Sequence, residues 1–189
     1  VQDLLMHLAL SHPEVALQFL NNGQEKLRTS GNGKLKDVIY QIYGRDVAAN
    51  LIELDYEKGG LRITGFLGKP VITRGNRNFE NFFVNGRYVK SGMISKALED
   101  AYRDFVMQHK FPFAVLHFHL NGEEVDINVH PTKMELRFQK QQEVYGTVFE
   151  AVHRTLLEPE LIQRAEVPEP VAVRMEEEKR RSEEKAERR

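Results

Sequence analysis

The sequence predicts a single α+β domain with a charged tail, on three observations. Apolar residues alternate in short period-two segments, tight-turn dipeptides of the Asn-Gly and Gly-Gly kind separate those segments, and helical-period segments are interleaved among them. A chain of 189 residues with 41% hydrophobic content can bury one sizeable core and is too short for two ordinary domains with linkers.

Leu4, Leu5, Leu8 and Ala9 follow helical spacing, and Ser11-His12-Pro13 ends that helix because proline disfavours helical geometry in the residue before it. Val15, Leu17 and Phe19 then alternate with Ala16 and Gln18. Asn22-Gly23 tolerates positive φ, and a second short strand reaches Leu27, making a hairpin. Leu35, Val38, Ile39 and Ile42 return to helical spacing between Lys34 and Gly44, with a shorter helix from Arg45 to Asn50. Leu51 to Tyr56 and Leu61 to Leu67 flank Lys58-Gly59-Gly60, while Asn78 to Val84 and Tyr88-Val89 flank Asn85-Gly86, so the middle reads as an antiparallel sheet.

Ile94, Leu98, Ala101 and Phe105 line one face of a helix that Ser91 is placed to cap. Phe113 to Leu120 and Val125 to Val129 form a hairpin around Asn121-Gly122. A last helix after Phe138 presents Val144, Val148, Ala151, Val152 and Leu156, and Pro159 with Pro168 and Pro170 marks the end of the core. Beyond it, Arg174 to Arg189 holds seven basic and six acidic residues, with Glu176/Arg180, Glu177/Arg181 and Glu184/Arg188 at i, i+4 spacing. Such a segment cannot build a core and reads as a single helix or a disordered connector.

Composition narrows the function classes. With no cysteine, disulfides, thiol nucleophiles and thiolate zinc sites are excluded, which fits a reducing compartment and gives the cytoplasm as the expected location. Asp3 and His7 interrupt the first apolar segment, so it is neither a signal peptide nor a membrane span, and the opening Val1-Gln2-Asp3 is expected of a piece of a longer protein. The net charge of −1 means that nucleic-acid affinity must come from a local patch. Residues 69 to 96 supply one: Lys69, Arg74, Arg77, Arg87, Lys90 and Lys96 stand against Glu80 alone. Arg74 and Arg77, on a Gly/Asn-rich segment, are its foremost members, and a plain solvated surface is the competing reading.

The densest chemistry lies between Glu124 and Phe138. Val125, Ile127 and Val129 share one strand face; Asp126, Asn128 and His130 share the other, after which Pro131 ends the ladder and Thr132-Lys133 follows in a loop. Metal ligation, acid/base catalysis and a hydrogen-bonded platform for the loop compete for that polar row. The platform is favoured, because an Asp-x-Asn-x-His row matches no metal-ligand spacing and no nucleophile stands out beside Asp126 and His130. No metal is expected.

The run Asp126-Ile127-Asn128-Val129-His130-Pro131-Thr132-Lys133, with Glu135 and Arg137-Phe138 after it, resembles the signature of the MutL family of DNA mismatch-repair proteins. Upstream, Phe82-Phe83-Val84-Asn85-Gly86-Arg87 followed by Val89 is similar to that family's strand and turn, and the resemblance extends from about Val1 to about Glu160. The resemblance implies a ribosomal-protein-like transducer domain over 1–160, a mixed or antiparallel sheet with helices packed on one side, and a linker over 161–189. It also implies that Lys133 reaches the γ-phosphate of ATP, with Mg, bound in an adjacent GHKL ATPase domain, Asp126, Asn128, His130 and Pro131 positioning the loop. In the intact bacterial protein it implies a homodimer, non-specific contacts to single- or double-stranded DNA and a MutS-type mismatch-recognition partner. The fragment itself is expected to be no enzyme and to hold no nucleotide: Gly31-x-Gly33-Lys34 is followed by Leu35, where a phosphate loop needs Ser or Thr. Two rivals are a topoisomerase transducer, which would carry Gln-Thr-Lys where this chain has Pro131-Thr132-Lys133, and an RNA-binding module, which needs exposed stacking aromatics.

Overall fold

The computed structural model describes residues 1–120, 125–126, 137–138 and 140–165, with side chains over 1–120 and 140–158. The chain divides into two compact units, Val1–Leu156 and Leu157–Arg189, and the sheets and both cores belong to the first.

Helix α1 (Gln2–Ser11) leads into the hairpin of β1 (Gln18–Asn21) and β2 (Gln24–Arg28). Asn22 at φ 51° and Gly23 at φ 76° both occupy the left-handed region, which matches the right-handed twist of the two strands. Helix α2 (Leu35–Tyr43) begins where Asn32 accepts from the Lys34 amide at 2.9 Å and donates to Asp37 at 2.6 Å. It stops at Gly44, and one further turn, α3 (Arg45–Ala48), delivers the chain to the sheet.

The main sheet has five strands, β3 (Leu51–Lys58), β4 (Leu61–Gly68), β5 (Glu80–Val84), β6 (Arg87–Val89) and β7 (Ala114–Leu120), in the spatial order β3-β4-β7-β5-β6. Helix α4 (Gly92–Tyr102) connects β6 to β7, its first turn capped by Ser91 Oγ accepting from the Ile94 amide at 3.3 Å. Helix α5 (Gln141–Ala165) closes the described chain, continuing past Pro159 although its last core side chain is Leu156. Strand β7 pairs antiparallel with β4 and parallel with β5, so the sheet is mixed.

That central position corrects one expectation. Leu120 is opposite Leu61 and Phe118 opposite Val84, so both edges of β7 are taken and it has none left for a hairpin partner from Val125 to Val129. The strand β8 (Val125–Asp126) pairs instead with β9 (Arg137–Phe138) in a separate two-stranded sheet.

The α+β class with a mixed sheet holds, but the helices occupy both faces instead of one. Against α4 and α5 lie Leu61, Ile63, Phe82, Val84, Leu116 and Phe118. Against α1 and α2 lie Phe83, Phe113 and Val115. All five residues of β5 are buried, and a strand apolar on both faces requires a layer on each side of the sheet.

Gly65 marks the tightest approach within that sheet. A Cβ there would stand 2.1 Å from the Val115 carbonyl oxygen, and the residue sits at φ 138°, so neither the space nor the backbone accepts a side chain. Gly65→Ala is expected to cost about 3 kcal/mol or more in urea denaturation; an unchanged midpoint would show that β4 and β7 can move apart.

Candidate nucleic-acid interface

The basic residues of 69–96 do not form one uniform patch. Lys69 starts a short 3-10 turn, Pro70–Ile72, pinned by its own amide donating to the Asn50 carbonyl at 2.8 Å. Arg74 is fastened through its backbone, its N–H and C=O each bonding Phe111 at 2.8 Å, and its guanidinium lies 5.0 Å from the Phe79 ring centroid. Its Nε is buried without a partner among the described residues.

Arg77 stacks on Phe111 at 5.2 Å and grips both carboxylate oxygens of Glu99. Lys96 pairs with Asp100 at 2.8 Å; the hydrogen bonds from Lys96 and then Tyr145 hold that carboxyl below its ordinary range. Lys69, Arg87 and Lys90 are exposed and have no ion-pair partner among the described residues. The six cations therefore divide: two neutralised by neighbours just past the segment, one committed to ring and backbone contacts, three open to solvent. Arg74 and Arg77, foremost by sequence, are the two most tied into the fold.

Lys133, Asn128, His130 and Pro131 lie outside the described residues, as does the side chain of Asp126. The backbone of Asp126 is paired with Arg137 in the β8–β9 ladder. Among the described residues no group of three or more His, Asp or Glu could hold a metal ion, and no helix is long and apolar enough to cross a membrane.

The structure adds a group that sequence reading counted only as a charge. Glu80 is 6% exposed, neither carboxyl oxygen has a hydrogen-bond partner among the described residues, and burial raises its pKa from 4.5 to about 7, although Ser95 beside it favours the charged form. The signal was present in the alternation: Glu80 sits two residues before Phe82 and four before Val84, on a face whose next members are core.

Around Glu80 opens a cleft of about 580 Å³. Strand β6 pairs only with Phe82–Val84, so the outer edge of β5 at Glu80 and Asn81 has no strand beside it among the described residues. The walls are α1, bearing His7 stacked on Tyr88 at 3.6 Å, and the start of α4 with Lys90, Ser91 and Gly92. Burial lowers the His7 pKa, so its ring is neutral near pH 7.

The Glu80 carboxyl is protonated in both folded and unfolded states well below 4.5, and above about 7 the folded state must carry its buried charge. Its unfavourable contribution therefore grows as pH rises from 4.5 through 7. Glu80→Gln is expected to raise stability at pH 8 by about 2 kcal/mol and to leave it nearly unchanged at pH 4. Chemical denaturation at both pH values measures this, and an equal gain at the two would remove ionisation as its cause.

The family model described as DNA mismatch repair protein, C-terminal domain, matches residues 39–157. The chain is 51% identical over 168 residues to the DNA mismatch repair protein MutL of Agathobacter rectalis, covering 89% of this chain and 26% of that protein. It is 40% identical over 158 residues to the MutL of Clostridium perfringens strain ATCC 13124, covering 84% and 23%. This chain thus spans about a quarter of the length of the curated relatives it matches. Among solved structures, the N-terminal domain of a DNA repair protein superposes with a TM-score of 0.70 at 18% identity, over 85% of this chain and 53% of that one. A mutant MutL ATPase domain of Aquifex aeolicus superposes at 0.55 and 17% identity, over 80% and 50%. At those identities the likeness is one of fold.

Proposed function

This chain belongs to the MutL family of DNA mismatch-repair proteins, and we propose that residues 1–160 are the transducer domain of its ATPase region, with 161–189 as a linker. The observation that carries this reading is the run Asp126 to Lys133, which falls inside the span matched by the family model. The β8–β9 ladder brings together the two ends of the segment that bears Lys133, which suits a loop offered to a neighbouring domain.

In this reading ATP, with Mg, is bound by an adjacent GHKL domain, and Lys133 completes the γ-phosphate site from outside. An ammonium is a compact charge on a flexible stem, suited to that reach. A charge-assisted hydrogen bond of roughly 1.5 to 3 kcal/mol, present with ATP and lost with ADP, shifts a two-state domain arrangement about tenfold to a hundredfold. The isolated chain has no turnover of its own. The intact protein works as a homodimer in the bacterial cytoplasm beside a MutS-type partner.

Lys133→Ala in the intact protein is expected to lower steady-state ATP hydrolysis and ATP-dependent dimerisation with circular dichroism unchanged. Wild-type hydrolysis and dimerisation in the variant would reduce the loop to a structural element.

DNA is bound through its backbone by the cations that remain open, Lys69, Arg87 and Lys90, with Arg74, Arg77 and Lys96 shaping the surface around them. Replacing Lys69, Arg87 and Lys90 together with Glu should lower affinity for any sequence and flatten the slope of log K against log salt by about 2 to 3. A slope equal to wild type would move the interface elsewhere on the chain.

A further inference from the structure

The Glu80 cleft combines features that the backbone contacts proposed above do not use. Its floor is the carboxyl group of Glu80, a residue 94% buried, and neither oxygen has a hydrogen-bond partner among the described residues. A buried acceptor left unpaired costs free energy, so the site calls for a donor from outside. The floor continues into the unpaired edge of β5 at Asn81, and Tyr88, stacked with His7, supplies an aromatic wall.

The rim has the opposite character. Lys90 lines it with no ion-pair partner among the described residues, and the first turn of α4, an 11-residue helix, opens onto it at Ser91 and Gly92. The helix dipole there favours an anion. Among the described residues Asp3 on α1 is the one other carboxylate lining the cleft. A lysine or arginine side chain would satisfy the floor but meet the open charge of Lys90 on the way in. A ligand with hydrogen-bond donors at one end, a flat ring between and a phosphate at the other satisfies floor, wall and rim together.

Resting on the reading that this surface binds DNA, we propose that the cleft receives one unstacked guanine nucleotide of a single strand, the base on Glu80 and the phosphate at Lys90 and the start of α4. Guanine is the base whose Watson–Crick edge offers two adjacent donors, N1–H and the N2 amine, to one carboxylate. Adenine presents an acceptor at the corresponding ring nitrogen, and a base held in a duplex cannot enter. A volume of about 580 Å³ is ample for one nucleotide.

The test is fluorescence anisotropy of the 189-residue chain with three strands: all thymine, one central guanine, one central adenine. The guanine strand is expected to bind about tenfold tighter than the adenine strand. Glu80→Gln, which relieves a buried charge and should not threaten folding, is expected to erase that preference while all-thymine binding stays. Lys90→Ala is expected to weaken guanine and adenine strands by the same factor and keep their ratio. If the thymine strand binds with salt dependence but guanine gives no preference, or the preference survives in Glu80→Gln, the pocket is overturned and the DNA reading stands. If no strand binds, the DNA reading fails, and titration with guanosine monophosphate decides the pocket. Shifts of the Asn81, Lys90 and Ser91 amides that vanish in Glu80→Gln would retain it for a free nucleotide. Absence of shifts, or shifts produced by free arginine instead, would overturn it.

Discussion

Strand β7 is the constraint on which the rest of the first unit depends. It shares hydrogen bonds with β4 on one edge and β5 on the other, and its residues alternate between the two cores, Leu116 and Phe118 to one side, Val115, with Phe113 just before the strand, to the other. A strand paired on both edges and apolar on both faces can belong only to the middle of a three-layer arrangement. Once it is placed, α4 and α5 must cover one face and α1 and α2 the other. Val125 and Asp126 accordingly pair with Arg137 and Phe138 in a separate two-stranded sheet, since neither edge of β7 is free to receive them.

The same arrangement creates the cleft. Strand β6 has only three residues, too few to shield the whole of β5, and α1 packs against the far end of that edge through the His7–Tyr88 stack. What is left uncovered is the start of β5, where the chain carries Glu80 on the face that should be core. An ordinary solution would place an apolar residue there, because an ionised carboxyl gains nothing from burial without a partner. Functional sites are where sequences depart from such local rules, and the departure here falls at the stretch of β5 that β6 leaves unpaired on its outer edge.

Much of this was readable from the chain. The turns were, because Asn22-Gly23, Lys58-Gly59-Gly60 and Asn85-Gly86 announce positive φ through residue types that tolerate it, and the Ser91 cap was, because the hydroxyl precedes a run of helical period. The parallel pairing of β5 with β7 was not, since period-two alternation fixes which residues share a face and says nothing about which strand lies next to which. Nor was the division of the cations: Glu99 and Asp100 lie just beyond the basic segment in sequence, yet helix α4 returns them to Arg77 and Lys96. Charge counted along a chain overstates the field that a folded surface presents.

Two buried titratable groups on opposite faces of the sheet respond to pH in opposite senses. Burial raises Glu80 from 4.5 to about 7 and, on the α1 side, lowers His117 from 6.5 to about 4, its Nε2 also lacking a partner among the described residues. His117 contributes stability that is present above 6.5 and lost as pH falls through 4, because the unfolded state takes up the proton first. Glu80 behaves in the reverse sense, its contribution present below 4.5 and lost as pH rises through 7. The two windows leave a mildly acidic optimum in which both groups are neutral. Near pH 7 and above, Glu80 begins to carry its charge while His7 and His117 do not, so the cleft becomes a stronger acceptor where the surrounding fold has least left to gain from keeping it empty. A donor entering the cleft there would remove the cost of that charge, which couples occupancy to stability and gives the unpaired carboxyl a physical reason to persist.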